Sequence, residues 1–316
     1  MKKLFVSVLA VAALASCAKE ELVSLNQEAI QFGGPFVENA TRAADNTYNA
    51  SNLNKFHLYG TVTGTNGTIN IYNQAIVTGT VGSDVWACKD SEGNAINQYW
   101  IADATYKFAA VVDADGVTKD GNNMPTALTY NTDGQKDLLY TEATATGQAS
   151  NNAPVNFTFA HLLSKAYFTV KSNTANGYYH SVTNIKVNNF ETGTYTIGAT
   201  TPWAGTTAKD IAFGDITEVT SADTNGKTNA TQMLLIPTAT SFNVTFTVEI
   251  WNGSTKLGTE TYTKTITIKD AEENIVGLEA GKVYNFTLGL TVGELIQFTV
   301  TTAPNWVDAP DVPVTL

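Results

Sequence analysis

The sequence predicts an all-β protein of two β-sandwich domains in tandem, on three observations. Apolar residues recur with a period of two, not 3.6, from Ile30 onward. Turn pairs of Gly, Asn and Asp separate the apolar runs at short intervals. A polar stretch of small residues, 141–154, divides the chain near its middle and reads as a domain boundary. The length of 316 residues agrees, since a domain takes roughly 100–200 residues.

In chain order, strand candidates fall at 55–62, 69–77, 105–112, 137–141, 155–159, 166–170, 182–190, 193–197, 232–236, 283–290 and 294–301. The clearest pair lies near the C-terminus. Phe242, Val244, Phe246, Val248 and Ile250 alternate with Asn243, Thr245, Thr247 and Glu249. After Asn252-Gly253, Tyr262, Lys264, Ile266 and Ile268 alternate with threonines, so the two runs predict one long hairpin with one apolar face. Gly64-Thr65-Asn66-Gly67, Asp115-Gly116, Asp133-Gly134, Asn176-Gly177 and Asn225-Gly226 mark further turns. Helical patterning is confined to two short candidates, 161–165 and 271–275.

Composition narrows the function classes. Hydrophobic residues make 43% of the chain and aromatics 10%, enough core material to exclude disorder throughout. Charged residues are only 15%, and 48 threonines fill much of the gap, as suits pleated, half-wet strand faces. The formal net charge is -11, which argues against nucleic acid as a partner, because phosphate binding needs clustered basic side chains. His57, His161 and His180 have no metal-ligand spacing, and no nucleophile elbow, phosphate loop or dinucleotide fingerprint occurs. Asp113-Ala114-Asp115-Gly116 lacks the further ligands of a calcium loop and reads as a hairpin turn. His161, beside Ser164 and Lys165, reads as a hydrogen-bonded corner residue. The expectation is a protein that is not an enzyme, with no catalytic residue, cofactor or metal.

The N-terminus carries an address. Met1-Lys2-Lys3 is basic, Leu4 to Leu14 is apolar but too short to span a bilayer, and Leu14-Ala15-Ser16-Cys17 follows. This order resembles a bacterial lipobox, which implies a signal peptide over 1–16, lipid on the Cys17 sulfur and a membrane anchor there. Cys88 is then the one cysteine left for the body of the protein, so no intrachain disulfide forms.

Of 18 basic residues, 17 are lysine; Arg42 stands alone in the polar stretch Glu38-Asn39-Ala40-Thr41-Arg42-Ala43. By itself it reads equally as a processing site or as a stray residue in a lysine-biased chain. Other segments bear on that choice. They are the lipobox at 14–17, Ile30-Gln31-Phe32 followed by Thr41-Arg42-Ala43, and Asp137-Leu138-Leu139-Tyr140. Phe159 to Lys165 follows, then Ala280-Gly281-Lys282-Val283-Tyr284-Asn285-Phe286, Ile296-Gln297-Phe298-Thr299-Val300 and Trp306. In order and spacing they resemble the Bacteroidales fimbrillins, the type V pilins and their Mfa-like relatives, over essentially the whole chain.

The resemblance implies two transthyretin-like sandwiches and a surface pilus subunit. It further implies export to the outer membrane as a lipoprotein, then a cut between Arg42 and Ala43 by an arginine-specific surface protease. The cut would remove a strand carrying Ile30 and Phe32, and a strand from another pilin subunit of the same or a different kind would fill the groove. The implied divisions are a propeptide over 17–42, domains over 43–150 and 151–292, and a tail over 293–316. In that tail Ile296, Phe298 and Val300 alternate with polar residues, and Val312, Val314 and Leu316 are again two apart, so both sets are candidate donor positions; the alternative is that 294–301 is the last strand of the second domain and the rest a frayed tail. Prolines 304, 310 and 313 make the far tail an edge or extended segment. The alternative is a monomeric surface lipoprotein that binds glycan or another ligand.

Overall fold

The computed structural model describes residues 28–37, 48, 52–80, 82–83, 86–238, 240–270, 274–291, 297–303 and 314–315. These residues are almost wholly strand and turn. The strands are β1 (Phe36–Val37), β2 (Lys55–Gly64), β3 (Gly67–Thr78), β4 (Ala87–Lys89), β5 (Thr105–Val112), β6 (Gly116–Lys119) and β7 (Pro125–Asn131). They continue with β8 (Leu139–Thr146), β9 (Thr158–His161), β10 (Ser164–Asn173), β11 (Tyr178–Thr196), β12 (Trp203–Ala212), β13 (Ile216–Val219) and β14 (Lys227–Thr228). The last are β15 (Met233–Leu235), β16 (Ser241–Asn252), β17 (Thr255–Thr267), β18 (Val283–Thr291), β19 (Gln297–Ala303) and β20 (Val314–Thr315).

They form three sheets. The first runs β1-β9-β8-β5-β2-β3-β4. The second runs β14-β10-β18-β19-β20, with β15 also on β10. The third runs β17-β16-β11-β7-β6, with β12 and β13 also on β11. Strand β11 is the spine of the third sheet. Its first half pairs with β16, and its last residues, Thr192–Thr196, pair with β7. Bulges around Phe190, Thr192 and Gly193 interrupt its ladder with β12. Such bulges let one long strand bend between partners. The sequence reading split this strand in two, because the bulged polar residues broke the alternation.

Three clusters of buried side chains hold the sheets. One packs strands of the second and third sheets, through Phe168, Val187, Val244, Phe246 and Phe286. A second packs the first sheet against the N-terminal residues, through Phe32, Phe56, Tyr106, Phe108 and Phe157. The third joins both halves of the chain, through Tyr59, Ala109, Val111, Leu128, Leu163 and Trp203. It explains the run Phe108-Ala109-Ala110-Val111-Val112, apolar at both parities. Phe108 and Ala110 face one cluster, and Ala109 and Val111 the other, so this part of β5 is covered on both sides. Strands β6 and β7, which precede residue 150, pair into the sheet of β11, so the sheets run across the boundary read from the sequence.

Two local expectations need correction. Residues 141–146 are the last six residues of β8, not part of a strandless linker. Ala143 and Ala145 turn half-buried against the core while exposed threonines alternate with them, and the ladder to β5 holds from Leu139 to Thr146. Small side chains hid the period. The helical candidate at 161–165 is instead the corner between β9 and β10; the one at 271–275 lies partly outside the described residues.

That corner ties three distant segments together. Leu139 and Tyr140 pair with His161 and Ala160, and Leu162 N–H donates to Leu138 O at 3.0 Å. His161 Nδ1 lies 3.0 Å from the Asp137 carboxylate, both side chains buried. Gly281, at φ 72°, donates its N–H to Leu163 O at 2.9 Å and leads the chain into β18. Trp203 Nε1 closes the corner on Leu162 O at 2.8 Å. Asp137→Ala removes the carboxylate that answers both His161 and the Tyr48 N–H. It is expected to lower the unfolding free energy by about 2–5 kcal/mol in urea titration; a change under ~1 kcal/mol would contradict this role.

Candidate assembly groove

The core of the first sheet is completed by residues that precede its own strands in the chain. Residues 28–33 lie between two backbone edges. On one side Ile30 N–H donates to Gln98 O at 2.8 Å, Trp100 N–H to Glu28 O at 2.9 Å and Trp86 N–H to Phe32 O at 3.0 Å. On the other, Val155 N–H donates to Gln31 O at 2.8 Å and Gly33 N–H to Val155 O at 3.0 Å. Phe36 N–H then reaches Phe157 O at 2.8 Å, and β1 continues parallel to β9. A segment paired on both edges is a central strand, not a tail laid on a surface.

Its side chains alternate as a strand must. Ile30, Phe32 and Val37 are buried, while Ala29 and Gln31 are exposed. Phe32, only 1% exposed, sits in an aromatic cage. Tyr72 meets it edge-on at 5.6 Å, Phe108 edge-on at 6.0 Å, and Phe157 stacks at 6.1 Å. Burying the three apolar side chains contributes about 5–9 kcal/mol at roughly 1.5–3 each, with edge-to-face geometry adding to it.

Glu28 holds the start of the segment. Its carboxylate accepts from Asn151 N–H at 2.8 Å, Asn152 N–H at 2.7 Å and Asn152 Nδ2 at 3.0 Å. Asn151 adopts φ 62°, which turns successive N–H groups toward one point. These bonds, first that of the Asn152 backbone amide, hold the Glu28 carboxyl below its ordinary value of 4.5. The clamp therefore acts above that value and is lost as pH falls through the lowered one.

Tyr48 fixes the chain on the far side of Arg42. Its N–H donates to Asp137 Oδ2 and its hydroxyl to Asp113 Oδ2, both at 2.9 Å. Burial first, then the Asp113 contact, pushes the Tyr48 hydroxyl well above its ordinary value, so it stays a donor. Asp113 and Asp115 thus serve turn and anchor contacts; Asp115 accepts from Asn131 N–H at 2.6 Å. Among the described residues no three His, Cys, Asp or Glu side chains gather as a metal site.

Of the residues singled out from sequence, Ile30 and Phe32 stand in this groove. Cys17, Arg42, Ala43, Ile296, Val312 and Leu316 lie outside the described residues. Phe298 and Val300 belong to β19, which pairs with β18, and Val300 is buried in the core between the second and third sheets. Val314 belongs to β20, opposite Val300. Glu28, the Asn151–Asn152 clamp and the groove walls Trp86 and Trp100 were missed. Trp86 pairs with Phe32 through an isolated bridge, and Trp100 reaches the segment by a single backbone bond to Glu28 beside the Ala29–Tyr99 bridge, so neither leaves an alternating run to read.

Two outcomes are expected. Phe32→Ala costs about 3–5 kcal/mol in the uncut protein, read by urea unfolding; a loss below ~1 kcal/mol would mean the cage does not depend on it. Amide exchange at Ile30 and Trp100, corrected for intrinsic rates, speeds up as pH falls below the ordinary 4.5 of Glu28, and Glu28→Ala is already fast at neutral pH. Equal exchange in both proteins would remove the clamp.

A family model described as fimbrillin-like matches residues 41–306. Among solved structures, the chain is similar to a fimbrial protein from Bacteroides vulgatus, at 17% identity and a TM-score of 0.57, over 88% of this chain and 99% of that one. A candidate cell adhesion protein from Bacteroides uniformis gives 18% identity and a TM-score of 0.54, with 88% and 99% covered. One from Bacteroides ovatus gives 15% and 0.52, with 89% and 98% covered. At these identities the likeness is one of fold. No curated protein sequence matches the chain.

Proposed function

The chain belongs to the fimbrillin-like family, and we propose that it is a lipoprotein-borne fimbrial subunit that polymerises by strand exchange in the groove described above. Family membership supports a surface adhesion protein that assembles with other subunits. The observation that carries the finer reading is the docked segment itself. Residues 28–37 are a structural part of the first sandwich, yet the chain's lone arginine follows Val37 by five residues. One cut after Arg42 would free the segment from the body, and the Cys17 anchor with it.

The physical consequences favour assembly. Once the segment leaves, Trp86, Trp100 and Val155 N–H groups lose their acceptors, and the aromatic cage opens to water. An open edge beside an apolar stripe is a template for another strand. Tyr48, five residues after the new N-terminus, keeps its bond to Asp137. The tail 293–316 of a neighbour is the proposed donor, which requires β19 to leave β18. Anchoring falls to Cys17, and no helix among the described residues is long and apolar enough to cross a membrane.

Arg42→Ala tests the trigger. The variant is expected to stay monomeric after treatment with an arginine-specific protease, while the unaltered protein gives a ladder on a native gel. Normal ladders from Arg42→Ala would overturn the reading.

A further inference from the structure

The docked segment has a near copy at the other end of the chain. Residues 28–32 read Glu-Ala-Ile-Gln-Phe, and residues 294–298 read Glu-Leu-Ile-Gln-Phe. The one difference sets Leu295 against Ala29, an exposed position that bridges Tyr99, itself 47% exposed. A larger side chain fits there without entering the core. The positions that agree include each side chain that the docked strand uses up to Phe32. Strand alternation alone would require apolar residues at two positions. It would require neither a carboxylate two residues before the first nor a glutamine between them.

Resting on the strand-exchange reading above, we infer that residues 294–298 of one copy replace residues 28–32 of the next in the same direction and register. Glu294 then closes on the Asn151 and Asn152 amides, and Ile296 and Phe298 take the seats of Ile30 and Phe32. The vacated clamp favours this. Without Glu28, two backbone N–H groups and the Asn152 side-chain amide converge on an empty point, a seat for one carboxylate. A strand sliding by two residues would bring Val292 or Ile296, an apolar side chain, to that point. It would also leave Glu294 or its amide donors unpaired.

The match stops after Phe298 for a visible reason. A Cβ on Gly33 would run into Asn156 Oδ1, so Thr299 requires the exposed Asn156 side chain to turn aside. The donor must also leave β18, where Phe298 pairs with Leu288 and Val300 with Phe286. Repeating the plug sequence gives the tail a second seat with the same backbone pattern and the same cage. The competing arrangement keeps Gln297 and Phe298 on β18 of their own chain.

Cross-linking separates these cases. Ala29 and Tyr99 are bridge partners, and such pairs lie within disulfide reach on one face. The test uses the full chain carrying Cys17→Ser and Cys88→Ser, cut after Arg42, assembled and oxidised. Adding Leu295→Cys and Tyr99→Cys is expected to give a disulfide-linked ladder on a denaturing gel. Gln297→Cys with Tyr99→Cys, the same face two residues on, is expected to give none. Polymers without a 295–99 link, or with a 297–99 link instead, overturn the register and leave strand exchange standing. No polymer from the cut parent overturns both. Glu294→Ala polymers are expected to dissociate in denaturant about tenfold faster or more; an unchanged rate removes the carboxylate from the seat.

Discussion

A sandwich cannot leave a central strand position empty, and this constraint governs the molecule. Backbone N–H groups at Trp86, Trp100 and Val155 need acceptors, and the rings of Tyr72, Phe108 and Phe157 need a partner between them. Residues 28–33 supply both. The uncut chain is therefore complete and has no reason to associate through this groove. Under the proposed cut after Arg42, removing the same residues would turn a closed core into an open edge. Such a switch would be covalent and would not depend on a small conformational preference.

The corner of His161 makes that switch local. Three segments far apart in sequence, around Asp137, His161 and Gly281, are joined there by backbone pairing and by the buried histidine–carboxylate contact. Tyr48 hangs from the same carboxylate, so the chain after Arg42 is held to the body. The segment before Arg42 is held by strand pairing, by side-chain burial and by the Glu28 carboxylate on the Asn151 and Asn152 amides. The third core, with Tyr59, Leu163 and Trp203, fastens the first sheet to the rest, so losing the N-terminal strand need not loosen the second sandwich.

Much of this was legible in the sequence where one face is wet. The β16–β17 hairpin and the Asn252-Gly253 turn follow directly from alternation, and β2, β3 and β5 match within two residues. Legibility failed where the pattern lacks contrast. In Thr141 to Thr146 small residues occupy both faces, and β7 and β12 carry apolar residues too sparsely to show a period. Within the groove, Ile30 and Phe32 announced themselves as a strand. The Glu28 clamp did not, because two asparagines in a polar run look like any loop until φ at Asn151 points their amides at a carboxylate.

The most direct measurement follows three amides, those of Trp86, Trp100 and Val155, by hydrogen exchange in three states of one preparation. They donate to the N-terminal segment in the uncut protein. The account predicts strong protection before the cut, loss of protection in dilute cut monomer, and recovery in the polymer with no N-terminal segment present. Protection that persists in cut monomer, or that fails to return in polymer, would contradict a groove filled first by the chain's own strand and then by a neighbour's.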